Sequence, residues 1–386
     1  MSAPARVADR VADVPGDWDG LVGDDGFYLS RDWLRFVEQE PGGRPRYLYA
    51  AESGALRGAL PLCRGEDAVT LRYRPAHFHE FLGVDGTFLL AGACRGYRST
   101  LLLPGAAADG DQASRRATLA ELLAEASAVA KADGYPGVIL PFLTTAALLE
   151  VARTVPVRAA YDVAEAALPG VGGGLDAYLG EAARRVRQRI RNDRVRFAKA
   201  GWQIRVRTLD ECWREVASML ANLEHKYGHT ARDLDVLEES AAAQARVLGP
   251  RSVVFACEDA EGVAGLAWGY RWRSTLFMRG AGFDYDRLRD AREYFNLAFY
   301  EPIEYSQRAG IDRVHLGIGS WEAKGFRGAV LSPLWSAVIL PGTEPRLELV
   351  GTERAREALA EIGSHHIAAD SAQWAEVEQS ATSTAD

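Results

Sequence analysis

The stretch RRVRQRIRNDRVRFAK, residues 184–199, concentrates eight Lys or Arg side chains and one acid, Asp193. On a helical wheel its arginines form two rows, one on each side of an apolar stripe. The stripe is Leu179, Ala183, Val186, Ile190 and Phe197, one row is Arg185, Arg189 and Arg196, and the other is Arg187, Arg191 and Arg194. Guanidinium groups bind phosphate oxygens bidentately. The pattern predicts either contact with a nucleic-acid backbone or a solvated face whose arginines pair with acids elsewhere.

The charge of the remaining chain makes this segment unusual. The 386 residues carry 45 Lys or Arg and 53 Asp or Glu, which gives a formal net charge of −8. Without residues 184–199 the chain keeps 37 bases and 52 acids, a net charge of −15. Such a protein repels polyanions as a whole, so any contact with an anion must be local.

A second group of reactive side chains lies in the Gly-rich stretch GIGSWEAKGFRGA, which follows a predicted strand. Lys324 and Arg327 are three residues apart and are expected to face one site, with Glu322 orienting Lys324 through an ion pair. A cationic pair near backbone N–H groups would stabilise an oxyanion or a leaving ribose oxygen. The alternative interpretation is an ordinary loop that ends in a glycine turn.

Two further segments offer groups for a substrate pocket. The stretch LEHKYGHT places His225, Tyr227 and His229 at the end of a predicted helix, where a histidine could accept a proton from an attacking amine. A histidine at a helix C-terminus is also a common cap. Asn296 and Tyr300 lie about one helical turn apart and are expected to line a donor pocket.

The scaffold for these groups is predicted from the hydrophobic periodicity, which alternates between helix and strand. A helix is expected over about 175–200 and another over about 290–309, where Pro302 should produce a kink. Three antiparallel strands are expected over 252–283. An antiparallel meander flanked by helices is typical of the α/β or α+β class.

The clearest break in the chain is the stretch PGVGGG at 169–174. It predicts an N-terminal domain over 1–168 and a second domain of similar rhythm over 169–345. Residues 346–386 are expected to form one surface helix and a polar, disordered end.

Composition limits the class of protein. Hydrophobic content of 48% and charged content of 25% are typical of a soluble globular protein. There is no apolar run of the roughly 20 residues that a membrane span needs, and the N-terminus lacks the apolar core of a secretory signal. The four cysteines are scattered and indicate small buried side chains in a reducing cytoplasm.

The stretch HFHEF at 77–81 raises the possibility of metal ligation through His77 and His79. No third ligand has a supporting spacing, so an alternating strand is the preferred interpretation and no metal site is expected.

The order of these segments resembles the FemABX-like acyltransferases, also named BioF2-like, of the GNAT superfamily. The resemblance covers roughly residues 165–340 and depends on three stretches. They are YLGEAARRVRQRIRNDRVRFAKAGWQIRV, MLANLEHKYGHT and YEPIEYSQRAGIDRVHLGIGSWEAKGFRGA. The resemblance implies two tandem GNAT-like domains, each with a mixed, largely antiparallel sheet flanked by helices.

The resemblance also implies acyl transfer to an amine, with aminoacyl-tRNA as co-substrate and no bound cofactor. The tRNA acceptor end would contact Arg185, Arg187, Arg189, Arg191 and Arg194. The acceptor would be a small amine-bearing metabolite, as in antibiotic biosynthesis. Lys324 and Arg327 would steady the developing oxyanion, and no covalent enzyme intermediate is expected.

Acyl-CoA is the alternative donor, and the stretch MRGAGFDYDRLRDAREYF bears on it. CoA-dependent GNAT enzymes cradle pyrophosphate in a glycine turn before a helix. Arg279 and Gly282 fit that pattern, but Asp284 stands where a small residue is expected, and Asp286 and Asp290 add negative charge. These carboxylates disfavour pyrophosphate; Asp284 could instead bind an ammonium group or serve as a loop cap. A non-catalytic RNA-binding protein with the same fold is a third possibility.

Overall fold

A computed structural model describes residues 5–40, 44–66, 71–105, 109–226 and 233–383. Its strands are β1 (Arg6–Ala8), β2 (Arg46–Glu52), β3 (Ala55–Arg64), β4 (Leu89–Ala91), β5 (Val138–Thr144), β6 (Pro156–Pro169), β7 (Gln203–Arg207), β8 (Ser252–Asp259), β9 (Gly262–Trp272), β10 (Thr275–Phe283), β11 (Arg313–Ile318), β12 (Val330–Ile339) and β13 (Arg346–Val350). Its helices are α1 (Trp18–Leu21), α2 (Arg31–Val37), α3 (Pro75–Leu82), α4 (Asp109–Ala132), α5 (Thr145–Ala152), α6 (Gly174–Glu181), α7 (Arg184–Lys199), α8 (Leu209–Lys226), α9 (Leu234–Leu248), α10 (Glu293–Phe295), α11 (Glu301–Ala309), α12 (Trp321–Gly325), α13 (Thr352–Ser364) and α14 (Ser371–Ser383).

The chain divides into two compact units. Unit 1 comprises residues 1–164, 332–365 and 369–386, and unit 2 comprises residues 165–331 and 366–368. The expected boundary at 168 lies close to the observed one, whereas the C-terminal boundary at 345 differs. It differs because β12 pairs antiparallel with β5 and therefore belongs to unit 1.

Unit 1 contains a mixed sheet in the order β1-β2-β3-β4-β5-β12-β6, and β13 pairs with β6. β4 runs parallel to β5 and β13 runs parallel to β6, while β1, β2 and β3 pair antiparallel. β5 reads VILPFLT and is buried along all but its last residue, as expected for a central strand.

Two expectations for unit 1 were wrong. Residues 77–81 form part of helix α3 rather than a strand, because Pro75 begins the helix and Gly83, at φ 62°, ends it. His77 and His79 bond to the Asp162 carboxylate and the Gly86 carbonyl. The tail contains strand β13 and two helices, and α14 extends to Ser383.

Unit 2 contains the strands that position the candidate site. Their order is β6-β11-β10-β9-β8-β7, and every pair is antiparallel except β10 with β11. The parallel pairing covers only Thr275–Phe277, although β10 continues to Phe283 and β11 to Ile318. The α/β class with mixed sheets and flanking helices is confirmed.

The helices of unit 2 also differ in detail from the expectation. The helix expected over 175–200 is two helices, α6 and α7, because Ala182 and Ala183 adopt extended ψ values of 144° and 145°. The helix expected over 290–309 contains a π-helical turn at Asn296–Tyr300. This turn precedes Pro302, which lacks an N–H group and so cannot complete the regular i to i−4 ladder.

Candidate functional site

A buried polar cluster joins the basic helix α7 to the segment after α12. Asp193 is the only acid on α7, and its Oδ2 accepts hydrogen bonds from Arg327 Nη2 at 2.8 Å and from Tyr300 Oη at 2.6 Å. Arg327 Nε donates to Tyr300 Oη at 2.8 Å, which closes the cluster. All three side chains are nearly excluded from solvent, and burial raises the pKa of Tyr300 above its ordinary value. A charge pair that is buried this deeply is tolerated because every polar partner is satisfied.

Arg327 is further enclosed by an aromatic ring and by backbone. Its guanidinium carbon lies 3.1 Å from the ring centroid of Phe295, and its Nη1 donates to the Ala323 carbonyl at 3.0 Å. The Arg327 carbonyl accepts a hydrogen bond from Tyr178 Oη at 2.8 Å. The next residue must be glycine, because Gly328 has φ +92° and a Cβ there would lie 2.2 Å from Tyr178 Oη.

Lys324 is buried beside this cluster and makes a different set of contacts. Its Nζ donates to the carbonyls of Leu316, Gly317 and Ile318 at 2.8, 3.1 and 2.8 Å, so all three ammonium donors are used. Burial lowers the pKa of Lys324 to about 7. Lys324 therefore fixes the end of β11. These partners differ from the expected Glu322 ion pair; Glu322 itself is exposed.

An open groove runs along one row of arginines on α7, and we call it the basic groove. Its volume is about 960 Å³. It is lined by Arg184, Arg185, Gln188, Arg189, Asn192, Asp193, Val195, Arg196 and Arg292. Five guanidinium groups thus face one carboxylate, and that carboxylate is already bonded to Arg327. The groove has the charge and the donor geometry to bind phosphate groups.

The two predicted arginine rows have different surroundings. Arg185 and Arg189 line the basic groove and lie over the Phe326 ring, at 5.9 and 4.5 Å from its centroid. The row of Arg187, Arg191 and Arg194 lies outside that lining. Arg194 makes structural contacts within unit 2, because its Nη1 donates to Glu301 and to Asn296 Oδ1.

A second depression adjoins the groove, and we call it the aromatic cavity. Its volume is about 850 Å³. It is lined by Leu223, Lys226, Ala281, Phe283, Tyr285, Leu288, Asp290, Arg292, Glu293, Tyr294, Phe295 and Ser320. Arg292 belongs to both linings, so the basic groove and the aromatic cavity share one guanidinium group.

Three residues of this cavity have a strained backbone. Asp290, Arg292 and Ser320 all line it and all have left-handed backbone angles, with φ values of 50°, 64° and 45°. Non-glycine residues rarely adopt this conformation, and such residues tend to cluster at functional sites. Glu293 stabilises the strained turn, since its carboxylate accepts the N–H groups of Arg289 and Ala291, each at 2.9 Å.

Other predicted residues lie apart from the two depressions. Asn296 is fully buried and bonds to Arg194 and to the Arg292 carbonyl, so it supports the left-handed turn. Arg279 is half-buried on β10, outside both linings. The Asp284 carboxylate accepts the N–H of Asp286 at 3.3 Å, as the loop-cap interpretation predicts.

The predicted acceptor-side residues are only partly described. His225 is exposed near the end of α8, one residue before Lys226, which lines the aromatic cavity. Tyr227 and His229 lie outside the described residues.

Sequence reasoning missed Arg292, which belongs to both depressions. No local pattern indicates it, because its position follows from a left-handed backbone angle. The aromatic cavity was missed as well, although the stretch REYF gives a signal through its adjacent rings at Tyr294 and Phe295.

The described ranges contain neither a membrane-spanning helix nor a group of metal ligands. None of the helices there is both long and apolar enough to cross a bilayer. In the same ranges, no three His, Cys, Asp or Glu side chains are grouped as a metal ion would require.

Comparisons with known proteins give similarity in structure alone. No family model matches the chain, and no curated protein matches it. FemX superposes with a TM-score of 0.53 at 13% identity, over 80% of this chain and 91% of FemX. The C-terminal domain of a putative lysylphosphatidylglycerol synthetase from Agrobacterium fabrum gives 0.51 at 12% identity, over 81% of this chain and 88% of that domain.

A conserved protein of unknown function from Bacteroides thetaiotaomicron gives a TM-score of 0.52 at 11% identity, over 80% of this chain and 90% of that one. Superposition of this extent at such low identity is evidence about the fold. The chain has a FemABX-like fold, as the resemblance of its sequence to that group implies.

Proposed function

We propose that unit 2 transfers an aminoacyl group from aminoacyl-tRNA to a small amine-bearing metabolite. The observation that carries the proposal is that Arg292 lines both the basic groove and the aromatic cavity. A donor with a polyanionic body and an esterified amino acid needs these two environments side by side.

The basic groove supports the polyanionic part of this donor. The whole chain has a net charge of −8, so long-range attraction of RNA is weak. Five arginines line the groove with one carboxylate, Asp193, which is already bonded to Arg327. Arg292 also pairs with Asp290 at 3.8 Å, and the other four arginines supply a local site. Contacts of this kind to phosphates depend strongly on salt, which makes them measurable.

The aromatic cavity supports the reacting end. Its rings from Phe283, Tyr285, Tyr294 and Phe295 suit an apolar amino-acid side chain. In the reaction the amine nitrogen forms a bond to the ester carbonyl carbon, and the bond from that carbon to the ribose oxygen breaks. The amine proton is transferred to a base or to the leaving oxygen.

We assign roles to the predicted catalytic residues within this proposal. His225 is the candidate proton acceptor, because it is exposed next to Lys226 of the cavity lining. Lys324 and Arg327 act as positioning residues: Lys324 fixes the end of β11, and Arg327 holds Phe295 and Asp193. Oxyanion stabilisation then comes from Arg292, the guanidinium shared by both depressions.

The structural neighbours are compatible with this class of chemistry. One of them is named as a putative synthetase of lysylphosphatidylglycerol, an aminoacylated product. Natural-product biosynthesis as the setting is part of the proposal and depends on the identity of the amine.

The experiment supplies the protein with tRNA, amino acids, synthetases, ATP and a panel of small amines, with and without RNase. Mass spectrometry should detect amides that disappear when RNase is present. A parallel panel of acyl-CoA donors should release no thiol. Product that forms despite RNase would overturn tRNA dependence, and thiol release that requires an amine in the acyl-CoA panel would identify a CoA-dependent N-acyltransferase.

A further inference from the structure

Unit 1 contains a second arginine-rich depression that the proposed function does not use. Its volume is about 590 Å³. It is lined by Asp9, Arg10, Arg35, Glu38, Gln39, Arg44, Pro45, Arg46 and Arg64. Five guanidinium groups and two carboxylates therefore line it, in a chain whose net charge is −8. We call it the unit 1 groove.

The arginines of the unit 1 groove come from separate parts of the fold. Arg35 lies on α2, Arg46 begins β2 and Arg64 ends β3. The antiparallel pairing of Arg46 with Leu62 brings the second and third of these segments together. In a solvated charge run the bases are neighbours in sequence. Here the arginines are distant in sequence, and folding brings them together.

Three of these arginines have no carboxylate within ion-pair distance in the described parts of the chain. They are Arg10, Arg44 and Arg64, and all three are exposed. Arg46 differs, because it forms an ion pair with Asp133. The three guanidinium groups are therefore available for a ligand.

The acids of the lining offset little of this charge. Glu38 is half-buried, and its Oε1 accepts the N–H of Val11 at 2.7 Å. Asp9 is exposed. Arg35 is only loosely paired, at 3.8 Å from Asp32. A ligand with several negative charges would therefore neutralise the five guanidinium groups better than Asp9 and Glu38 do.

We propose that the unit 1 groove binds the phosphodiester backbone of RNA, as a second contact for the tRNA of the proposed function, on which this inference rests. Four of the five arginines are exposed and lie along an open depression. An extended row of phosphates matches that layout better than one small phosphate compound, which an enclosed pocket would hold. Each phosphate that is neutralised contributes a salt-dependent increment of affinity.

The test measures tRNA binding by fluorescence anisotropy over a range of salt concentrations. The variant R44E/R64E should bind about fivefold or more weakly, and its slope of log affinity against log salt should fall by about one to two. The matched control is R116E/R153E, which changes the same net charge at exposed arginines of α4 and at the end of α5. The control should change affinity less than about twofold. Thermal unfolding of both variants checks that the fold is intact.

The outcomes separate this inference from the proposed function. Wild-type protein that fails to bind tRNA overturns both. If reversal of Arg185, Arg189 and Arg196 in the basic groove weakens binding but R44E/R64E matches its control, only the second contact is wrong. Tripolyphosphate is used as a second probe. If R44E/R64E no longer binds tripolyphosphate but binds tRNA as the wild type does, the unit 1 groove is a small-anion site and the RNA assignment is wrong.

Discussion

Asp193 Oδ2 lies 2.8 Å from Arg327 Nη2, and both side chains are more than nine-tenths buried. The one acid of the most basic segment is therefore an internal anchor for the segment after α12. This pair, together with Tyr300, fixes the helix whose outer arginines form the basic groove. The positions of the groove arginines thus depend on a carboxylate beneath them.

Removing the Asp193 charge should destabilise the protein strongly. D193N leaves the Arg327 guanidinium buried without its counter-charge, and breaking a buried pair in this way costs about 3–5 kcal/mol. Chemical denaturation measures the free energy of unfolding. The double variant D193N/R327M should lose clearly less than the sum of the single losses, because the two residues are coupled. Additive losses would mean that the pair is energetically unimportant.

The two arginine rows of α7 should differ in RNA binding. R185E/R189E/R196E removes groove charges and should weaken tRNA binding at least about tenfold, with a smaller salt slope. R187E/R191E is the control on the same helix, because neither residue lines the groove. Equal losses in both variants would place the RNA across the whole helix rather than in the groove.

The stability contributed at Lys324 should depend on pH. Burial lowers the pKa of Lys324 to about 7 from an unfolded value near 10.5, so between these values the unfolded chain binds more protons. Stability from this residue is therefore smallest at and below pH 7 and rises towards pH 10. The difference in unfolding free energy between wild type and K324M should increase by roughly 1–3 kcal/mol from pH 7 to pH 9.5. K199M, at the exposed end of α7, is the control, and a constant difference in K324M would contradict the assignment.

The left-handed residue Ser320 should be replaceable by glycine with a gain in stability. Its φ of 45° is accessible to glycine without strain, so S320G should raise the free energy of unfolding by about 0.5–1 kcal/mol. S320V should lower it by more than about 1 kcal/mol, because a β-branched residue fits this conformation poorly. If S320G is less stable than wild type, the serine hydroxyl contributes more than the strain costs.

Periodicity predicted the scaffold well and the orientation of the polar groups poorly. The apolar stripe of α7 is confirmed at Ile190 and Phe197, both buried, because burial of one helix face leaves a direct trace in the sequence. Lys324 and Arg327 were expected to face one site, but they bind different partners. Their spacing could not show that both point inward, since the partners that bind them, the carbonyls of β11 and the Asp193 carboxylate, are distant in sequence.

Local patterns also failed where tertiary context decides the conformation. HFHEF alternates as a strand would, but the flanking Pro75 and Gly83 favour a helix, and Asp162 holds His77 from another part of unit 1. Arg292 carries no sequence signal for its role, because the left-handed turn that places it in both depressions depends on Glu293 and Asn296.

The central claim is that the protein transfers an aminoacyl group from tRNA to an amine. The most direct test measures the transfer of a radioactive amino acid from aminoacyl-tRNA. A charged tRNA pool is mixed with the protein and a panel of small amines, and the label is followed from acid-precipitable RNA to soluble amide. We predict amine-dependent transfer by wild type and transfer at least about tenfold slower by R185E/R189E/R196E at subsaturating tRNA. Wild-type protein that leaves the label on the tRNA with every amine, or a groove variant that transfers it at the wild-type rate, would contradict the account.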